Sequence, residues 1–421
     1  MSKGRYRSVE CKQVNWQQLI EQASGQALVF AVDVAKEAFF GLLQVKGGAG
    51  LVRIRWRHPV ETGELLSGLQ RLMEALPLQA VMESSGTYGD ALRWQLGVRG
   101  IEVYRVSAKR VHDEAEVYDG VPSLHDAKAC EIIGALHERG LSERWIEEDA
   151  ERRGRKARLN MLREAKSREG QVRNRLEAQL ARHWPELLEL LALNSASLIA
   201  LIGALGGPEQ VHSLADLARK TLRQAGRPGL AEQKIEAIIK SAGNTLGMPC
   251  VLEEREHLRQ LANELLDIAK RLKRLEEEIK REVGEDHVMA DLAPQLGATT
   301  TLVLFALLGT PAAYPSAHSY CKAIGLNLKE RSSGKHKGQL SITKRGPSLG
   351  RFYLYFAALR LIGKEPVVGR WFRAKTQRPG AVKGKQIVEL MRRIAKGIWH
   401  HAQGRAFAIE KLFGPAPVAL S

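Results

Sequence analysis

Seven apolar residues, Leu258, Leu261, Leu265, Ile268, Leu272, Leu275 and Ile279, recur at alternating spacings of 3 and 4. Such an a/d stripe requires a helix of at least three heptads, covered along its length by another helix. Glu, Lys and Arg fill most of the intervening positions (EREHLRQLANELLDIAKRLKRLEEEIKRE), so the remaining faces meet water. One helix of an ordinary bundle would satisfy the stripe. The heavy charge favours a coiled coil, intermolecular or antiparallel. The surrounding segment, about Leu141 to Asp291, is helical throughout and punctuated by Pro185, Gly206-Gly207-Pro208 and Gly247-Met248-Pro249.

The chain before this segment has a different period. Ala27–Asp33 (ALVFAVD), Phe39–Val45, Leu51–Arg57, Leu78–Glu83 and Ile101–Val106 are predicted strands. Helical spacing is predicted over Leu65–Leu76, Tyr88–Leu96 and Asp126–His137. Three strands followed by alternating helix and strand imply an α/β layer fold. The third part, from Leu292, is apolar and then basic. PQLGATTTLVLFALLG is expected to be a short hairpin feeding a buried helix, Lys329–Gly346 a Gly- and Lys-rich loop, and Leu349–Leu361 and Val382–Trp399 helices.

Charge separates these parts. The 421 residues carry a net charge of +17, and residues 318–421 hold 21 Lys+Arg against 4 Asp+Glu. The preceding 317 residues are balanced, with 43 of each sign. A one-sided excess of this size points to a polyanion partner, nucleic acid first. The apolar runs are too short to span a bilayer, and the first 26 residues lack a signal-peptide core. The expectation is a cytoplasmic, nucleoid-associated protein with no membrane partner. Four scattered cysteines without a C-x-x-C pair argue against a zinc site or disulfide framework, and no Walker loop is present.

Three carboxylates carry the candidate chemistry. Asp33 closes the first strand, Glu83 closes the fourth, and Asp126 opens the helix after the fifth. Acids beyond the ends of neighbouring strands form a hard-oxygen site suited to Mg²⁺ or Mn²⁺. Each alone is equally a strand-end or helix-cap acid. Their order along the chain is that of an RNase-H-like nuclease fold, in which metal-bound carboxylates act at a phosphodiester.

The spaced set AVDVAKEAFF, VMESSGTYGDAL, LHDAKACEIIGAL and SSGKHKGQLSITKRG resembles the motifs of the DEDD insertion-sequence transposases. This is the IS-one-ten group, with pilin-gene invertases as relatives. The resemblance spans about Ala27 to Ala402. It implies four parts: an N-terminal extension (1–26), a RuvC-like RNase-H-fold catalytic domain (27–145), a helical coiled-coil region (146–290) and a basic helical C-terminal transposase domain (291–421). It further implies metal-dependent cutting and rejoining of DNA, guided by a structured non-coding RNA. The a/d seam is expected to join a dimer or tetramer through the coiled coil, so that a metal site on one subunit faces a serine on another.

Carried over by position, Asp33, Glu83 and Asp126 match three of the family's four acids. The fourth is expected three residues after Asp126, one helical turn on, where this chain has Ala129. Asp119 or Asp113 are the substitutes to consider, since Glu131 falls on another face. The resemblance implies a nucleophilic serine, Ser332 first and Ser333 as the alternative. Arg331, Lys335, Lys337, Lys344 and Arg345 surround it and suit a phosphate. Leu296-Gly297-Ala298-Thr299 resembles a helix-hairpin-helix turn. The missing acid leaves a second reading, a catalytically weakened or inactive nucleic-acid-binding relative, and within the same fold an invertase or Holliday-junction-type resolvase is a close alternative.

Overall fold

The computed structural model describes residues 7–84, 86–226, 229–333 and 336–414, with the side chains of 331–339 outside the described set. The chain divides into two compact units, Met1–Glu148 and Asp149–Ser421. The first is mixed α/β and the second is mainly helical.

The first unit runs β1 (Val9–Glu10), α1 (Trp16–Ala23), β2 (Leu28–Asp33), β3 (Ala38–Val45), β4 (Gly50–Arg57), α2 (Thr62–Ala75), β5 (Leu78–Glu83), α3 (Asp90–Gly97), β6 (Glu102–Val106), α4 (Ala108–Asp119), α5 (Asp126–Glu138) and β7 (Glu143–Arg144). The sheet order is β1-β4-β3-β2-β5-β6-β7. β2 pairs antiparallel with β3 and parallel with β5, and β5 pairs parallel with β6. β2 is apolar on both faces because helices cover both. Phe30 and Val32 pack towards α1, α2 and α3, and Val29 and Ala31 towards α4 and α5. β4 instead alternates: Ile54 and Trp56 are buried while Arg55 and Arg57 are exposed. Residues 7–26, expected as an extension, are part of this sheet unit. β1 extends the sheet beside β4, and Leu19 and Ala23 of α1 join the core.

The second unit begins with α6 (Ala150–His183), α7 (Pro185–Leu190), α8 (Ala196–Leu205), α9 (Pro208–Ser213), α10 (Ala215–Ala225), α11 (Glu232–Gly243) and α12 (Leu252–Glu285). It continues with α13 (His287–Leu296), α14 (Ala298–Leu308), α15 (Ala317–Ile324), β8 (Leu328–Ser333), β9 (His336–Ile342), α16 (Ser348–Lys364), α17 (Pro366–Thr376), α18 (Lys383–Ala402) and α19 (Ile409–Phe413). α6 and α12 lie antiparallel along each other. Arg155 Nε meets Glu282 Oε1 at 3.0 Å, Arg168 pairs with Glu264, and Arg182 Nη2 meets Glu254 Oε1 at 3.0 Å. One residue number rises along this series as its partner's falls.

The heptad stripe is consumed inside the chain. Leu258, Leu261, Leu265 and Ile268 pack with Val172, Leu176 and Leu180 of α6 and with Leu198 and Leu201 of α8. Leu275 and Ile279 pack with Leu162 of α6. Each such burial contributes about 2 kcal/mol. Of the two arrangements expected for the seam, intermolecular or antiparallel, the chain forms the antiparallel one, with the apolar face covered by its own α6 and α8. Two local expectations also change. Residues 293–309 are two helices joined at Gly297 (φ +83°), not a hairpin and a helix. Within Lys329–Gly346, β8 and β9 form an antiparallel ribbon rather than a loop.

Candidate active site

β2, β5 and β6 run parallel, so their C-terminal ends lie side by side. Val32 and Met82 are register partners, and each is followed by an acid. Asp33 and Glu83 therefore leave adjacent strands at one level, both half-buried. Asp126 is the first residue of α5 and is exposed. His125 caps this helix, its Nδ1 accepting the Lys128 N–H at 3.3 Å.

Asp33 senses the other two carboxylates. Burial pushes the Asp33 carboxyl up to about 6, with the charges of Glu83 and Asp126 adding to the shift and the Val34 N–H opposing it. Burial also raises Glu83. One turn beyond Asp126, the Cys130 Sγ donates to the carbonyl of Phe40, the register partner of Asp33, at 3.2 Å. Burial, and next the Asp33 charge, hold that thiol well above its ordinary value. The face of α5 bearing Asp126 and Cys130 thus lies against the end of β2.

Ala129 shares this part of α5. It is 2% exposed and sits in the cluster of Val29, Ala31, Phe40 and Leu42. The acids considered as substitutes are engaged elsewhere. Asp119 accepts from Lys128 Nζ at 2.6 Å, and Asp113 accepts from Lys109 Nζ at 2.8 Å. Glu131 pairs with Arg53 and accepts the Tyr118 hydroxyl at 2.9 Å. Among the described residues no three His, Cys, Asp or Glu side chains converge as a group able to hold a metal ion. The oxygens suit a hard cation chemically, but they form no preassembled cage.

Two supporting residues were not singled out by motif reading. Lys128 is 1% exposed, and its Nζ also donates to the carbonyls of Val121 and Ser123 at 2.6 and 3.0 Å. It fastens the segment leading into Asp126. Arg93 is buried, pairs with Asp90, and lies beside Gly89 in the turn after Glu83. Their signal was weak, since Lys and Arg within helices usually face water.

In the second unit, β8–β9 carries the serine motif. Ser332 and Ser333 end β8, and Ser333 is the register partner of His336. The side chains of Arg331, Ser332, Ser333 and Lys337, and Lys335 altogether, lie outside the described residues. Lys344 and Arg345 are exposed at the base of the ribbon. That base is tied down. Lys344 (φ 56°) donates its N–H to Gly325 O at 3.1 Å, and Arg351 Nη1 bridges Ile324 O and Gly346 O at 3.0 and 2.8 Å. A Cβ at Gly346 would lie 2.3 Å from the carbonyl oxygen of Ala323, so only glycine fits.

The chain thus carries a sheet unit with acids at adjacent strand ends and a helical unit that contains the basic residues 318–421. Residues 293–373 match the family model of the Transposase IS116/IS110/IS902 family. This segment is an IS110-family transposase domain, and of the spaced motifs SSGKHKGQLSITKRG lies within it. The matched segment runs from within α13 to within α17 and includes β8–β9. Among curated proteins none matches the chain. No helix of the described residues is long and apolar enough to cross a membrane.

Proposed function

We propose that the protein is a metal-dependent DNA transposase that cuts and rejoins DNA for insertion-sequence mobility, guided by a structured RNA. The transposase domain supports the DNA chemistry. The observation that carries the site is the placement of Asp33 and Glu83 at adjacent strand ends, where burial first, and then the charges of Glu83 and Asp126, raise the Asp33 carboxyl, a penalty that a cation relieves. The strand order β4-β3-β2-β5-β6, with β3 antiparallel and helices on both faces, supports the RNase-H-like, RuvC-like reading.

In this reading Asp33, Glu83 and Asp126 hold Mg²⁺ or Mn²⁺, which when bound neutralises and polarises a scissile phosphate. Ser332 attacks phosphorus, with Ser333 as the alternative. An Oγ–P bond forms as one ester P–O bond of the DNA breaks, and the hydroxyl proton passes through water to the departing oxygen. Arg331, Lys335, Lys337, Lys344 and Arg345 hold the phosphate and offset its charge. The test is denaturing electrophoresis of the protein incubated with end-labelled element DNA, Mg²⁺ and the RNA transcribed beside the gene. A covalent adduct lost in Ser332→Ala and retained in Ser333→Ala is expected. An adduct unaffected by either substitution would remove the serine from the mechanism. An adduct formed equally without RNA would remove the guide.

Position 129 favours a second reading, a weakened or non-catalytic DNA-binding relative, because the missing acid has no free replacement in Asp113, Asp119 or Glu131. Native protein that binds DNA but forms no adduct, while Ala129→Asp forms one, would establish it.

A further inference from the structure

α16 presents an uncovered row of rings. Phe352, Tyr355 and Phe356 are 53%, 39% and 48% exposed, and Leu359 continues the row one turn on. Spacings of three and four place them on one face. The rings already organise one another: Phe352 and Phe356 meet edge to face at 4.8 Å between centroids, and Tyr355 meets Phe356 at 5.6 Å. An exposed apolar row of this kind on an otherwise ordinary helix marks a docking surface.

What surrounds the row identifies the occupant. Phe352 and Phe356 form one wall of a cavity of about 570 Å³. Lys166 of α6, Lys280 of α12 and Arg360 of α16 also line it. Among the described residues none of these three cations has an ion-pair partner. Elsewhere the chain pairs its cations freely, as Arg155, Arg158 and Arg182 do along the same two helices. The Arg360 guanidinium lies against Gly297, where a Cβ would be 2.2 Å from Nη1, so it is held at the cavity floor. α16 itself carries Arg351, Arg360 and Lys364 and no acid. Glu276 is the one acid of the lining.

Flat rings beside unpaired cations match a nucleotide with its base splayed out: the base stacks and the adjoining phosphate meets the cations. A protein partner would have to bring three carboxylates to Lys166, Lys280 and Arg360 as well as cover the rings, whereas a nucleotide carries both a ring and a phosphate. Paired bases inside a duplex present no free face to stack.

We propose that the α16 ring row and the Lys166/Lys280/Arg360 cavity form a binding site for an unpaired nucleotide of single-stranded nucleic acid. The site rests on the reading of this protein as a nucleic-acid enzyme and adds the form of nucleic acid that this face takes. DNA and RNA share the chemistry, and the test separates them.

The full chain is titrated by fluorescence anisotropy into labelled 15-nucleotide single strands, one DNA and one RNA of the same mixed sequence, and into the 15-base-pair DNA duplex. Phe352→Ala/Phe356→Ala is expected to weaken single-strand binding about tenfold or more, and duplex binding less than twofold. Phe356→Trp should restore most of the loss. Arg360→Ala should lower the salt dependence of single-strand binding by about 0.7 in log–log slope. A greater loss for one strand assigns the site to DNA or to RNA. A 2-aminopurine strand quenched by native protein and not by the double variant shows stacking directly.

Equal losses on single strand and duplex, or no loss on either, would overturn the proposal. So would unchanged strand binding with a fall in sedimenting mass, which would assign the rings to a second copy of this chain. Native protein that binds none of the three probes would instead defeat the wider nucleic-acid reading. The replaced rings are exposed, and unchanged circular dichroism melting shows that the fold is retained.

Discussion

Lys128 Nζ lies 2.6 Å from Asp119 Oδ1, and its other two protons go to the carbonyls of Val121 and Ser123. The lysine is buried with every donor used. It holds Asp119 as a structural counter-ion while Asp126, two residues before it in the chain, stays exposed at the start of α5.

Lys128→Met removes this tie and leaves Asp119 and two carbonyls without their cation. A loss of about 3–5 kcal/mol is expected, the usual penalty for breaking a buried pair from one side. Urea denaturation measures it, and limited proteolysis should cut first within residues 120–125. A loss below 1 kcal/mol would mean that the lysine is dispensable.

Ala129→Asp places a fourth carboxylate one helical turn from Asp126, in a cluster that is now apolar. Without divalent cation the protein should melt several degrees lower, because the new charge is desolvated. Mg²⁺ or Mn²⁺ should reverse the loss, and calorimetric affinity should rise about tenfold or more. A melting point insensitive to both metals would remove position 129 from the site.

Asp33 titrates near 6 in the folded chain against 3.8 as its ordinary value. A raised carboxyl binds its proton more tightly when folded, so its penalty on stability appears as pH climbs from about 4 through 6 and is full above. In chelator, the protein should gain stability between pH 7.5 and pH 5 from this group. Asp33→Asn should remove that gain and stabilise the neutral-pH fold by on the order of 2 kcal/mol. Denaturation midpoints at both pH values decide the matter, and an unchanged pH slope in the variant would contradict it.

Leu265→Ala probes the seam. Its side chain is 3% exposed among α6 and α8 residues of its own chain. A loss of about 3 kcal/mol with no change in sedimenting mass is expected. A drop in mass at equal folding would return the seam to a subunit interface.

Much of the sheet unit was legible because its signals are local. Leu78–Glu83 is a strand with the predicted ends, and Asp33, Glu83 and Asp126 fall at the element boundaries that hydrophobic period alone marks. α4 was missed because AKRVHDEAEVYD buries only Val111 and Ala115, too few apolar positions to display a period. The Lys329–Gly346 ribbon read as a loop because Ser, Gly and Lys dominate it. Backbone pairing and the ties at Gly325 and Gly346 hold it instead of side-chain packing. Which helix covers the Leu258–Ile279 stripe was beyond the stripe itself, since α6 shows its matching Leu162, Val172, Leu176 and Leu180 among dense charge. The exposed rings of α16 left no signal of their own, since composition carries no record of which face a helix turns outward.

α6 and α12 each run 34 residues, about 51 Å at 1.5 Å per residue. Their antiparallel pairing makes a stiff bar. Helices α8–α11 gather where α6 ends and α12 begins, and α13, α14 and α16 gather towards the opposite end. The bar is as long as about 15 base pairs of DNA at 3.4 Å each. Adding one heptad to both helices preserves the apolar register and lengthens the bar by about 10 Å, or three base pairs. Spacing between the two helical groups is thus a dimension that changes in discrete steps, independently of the chemistry at either end.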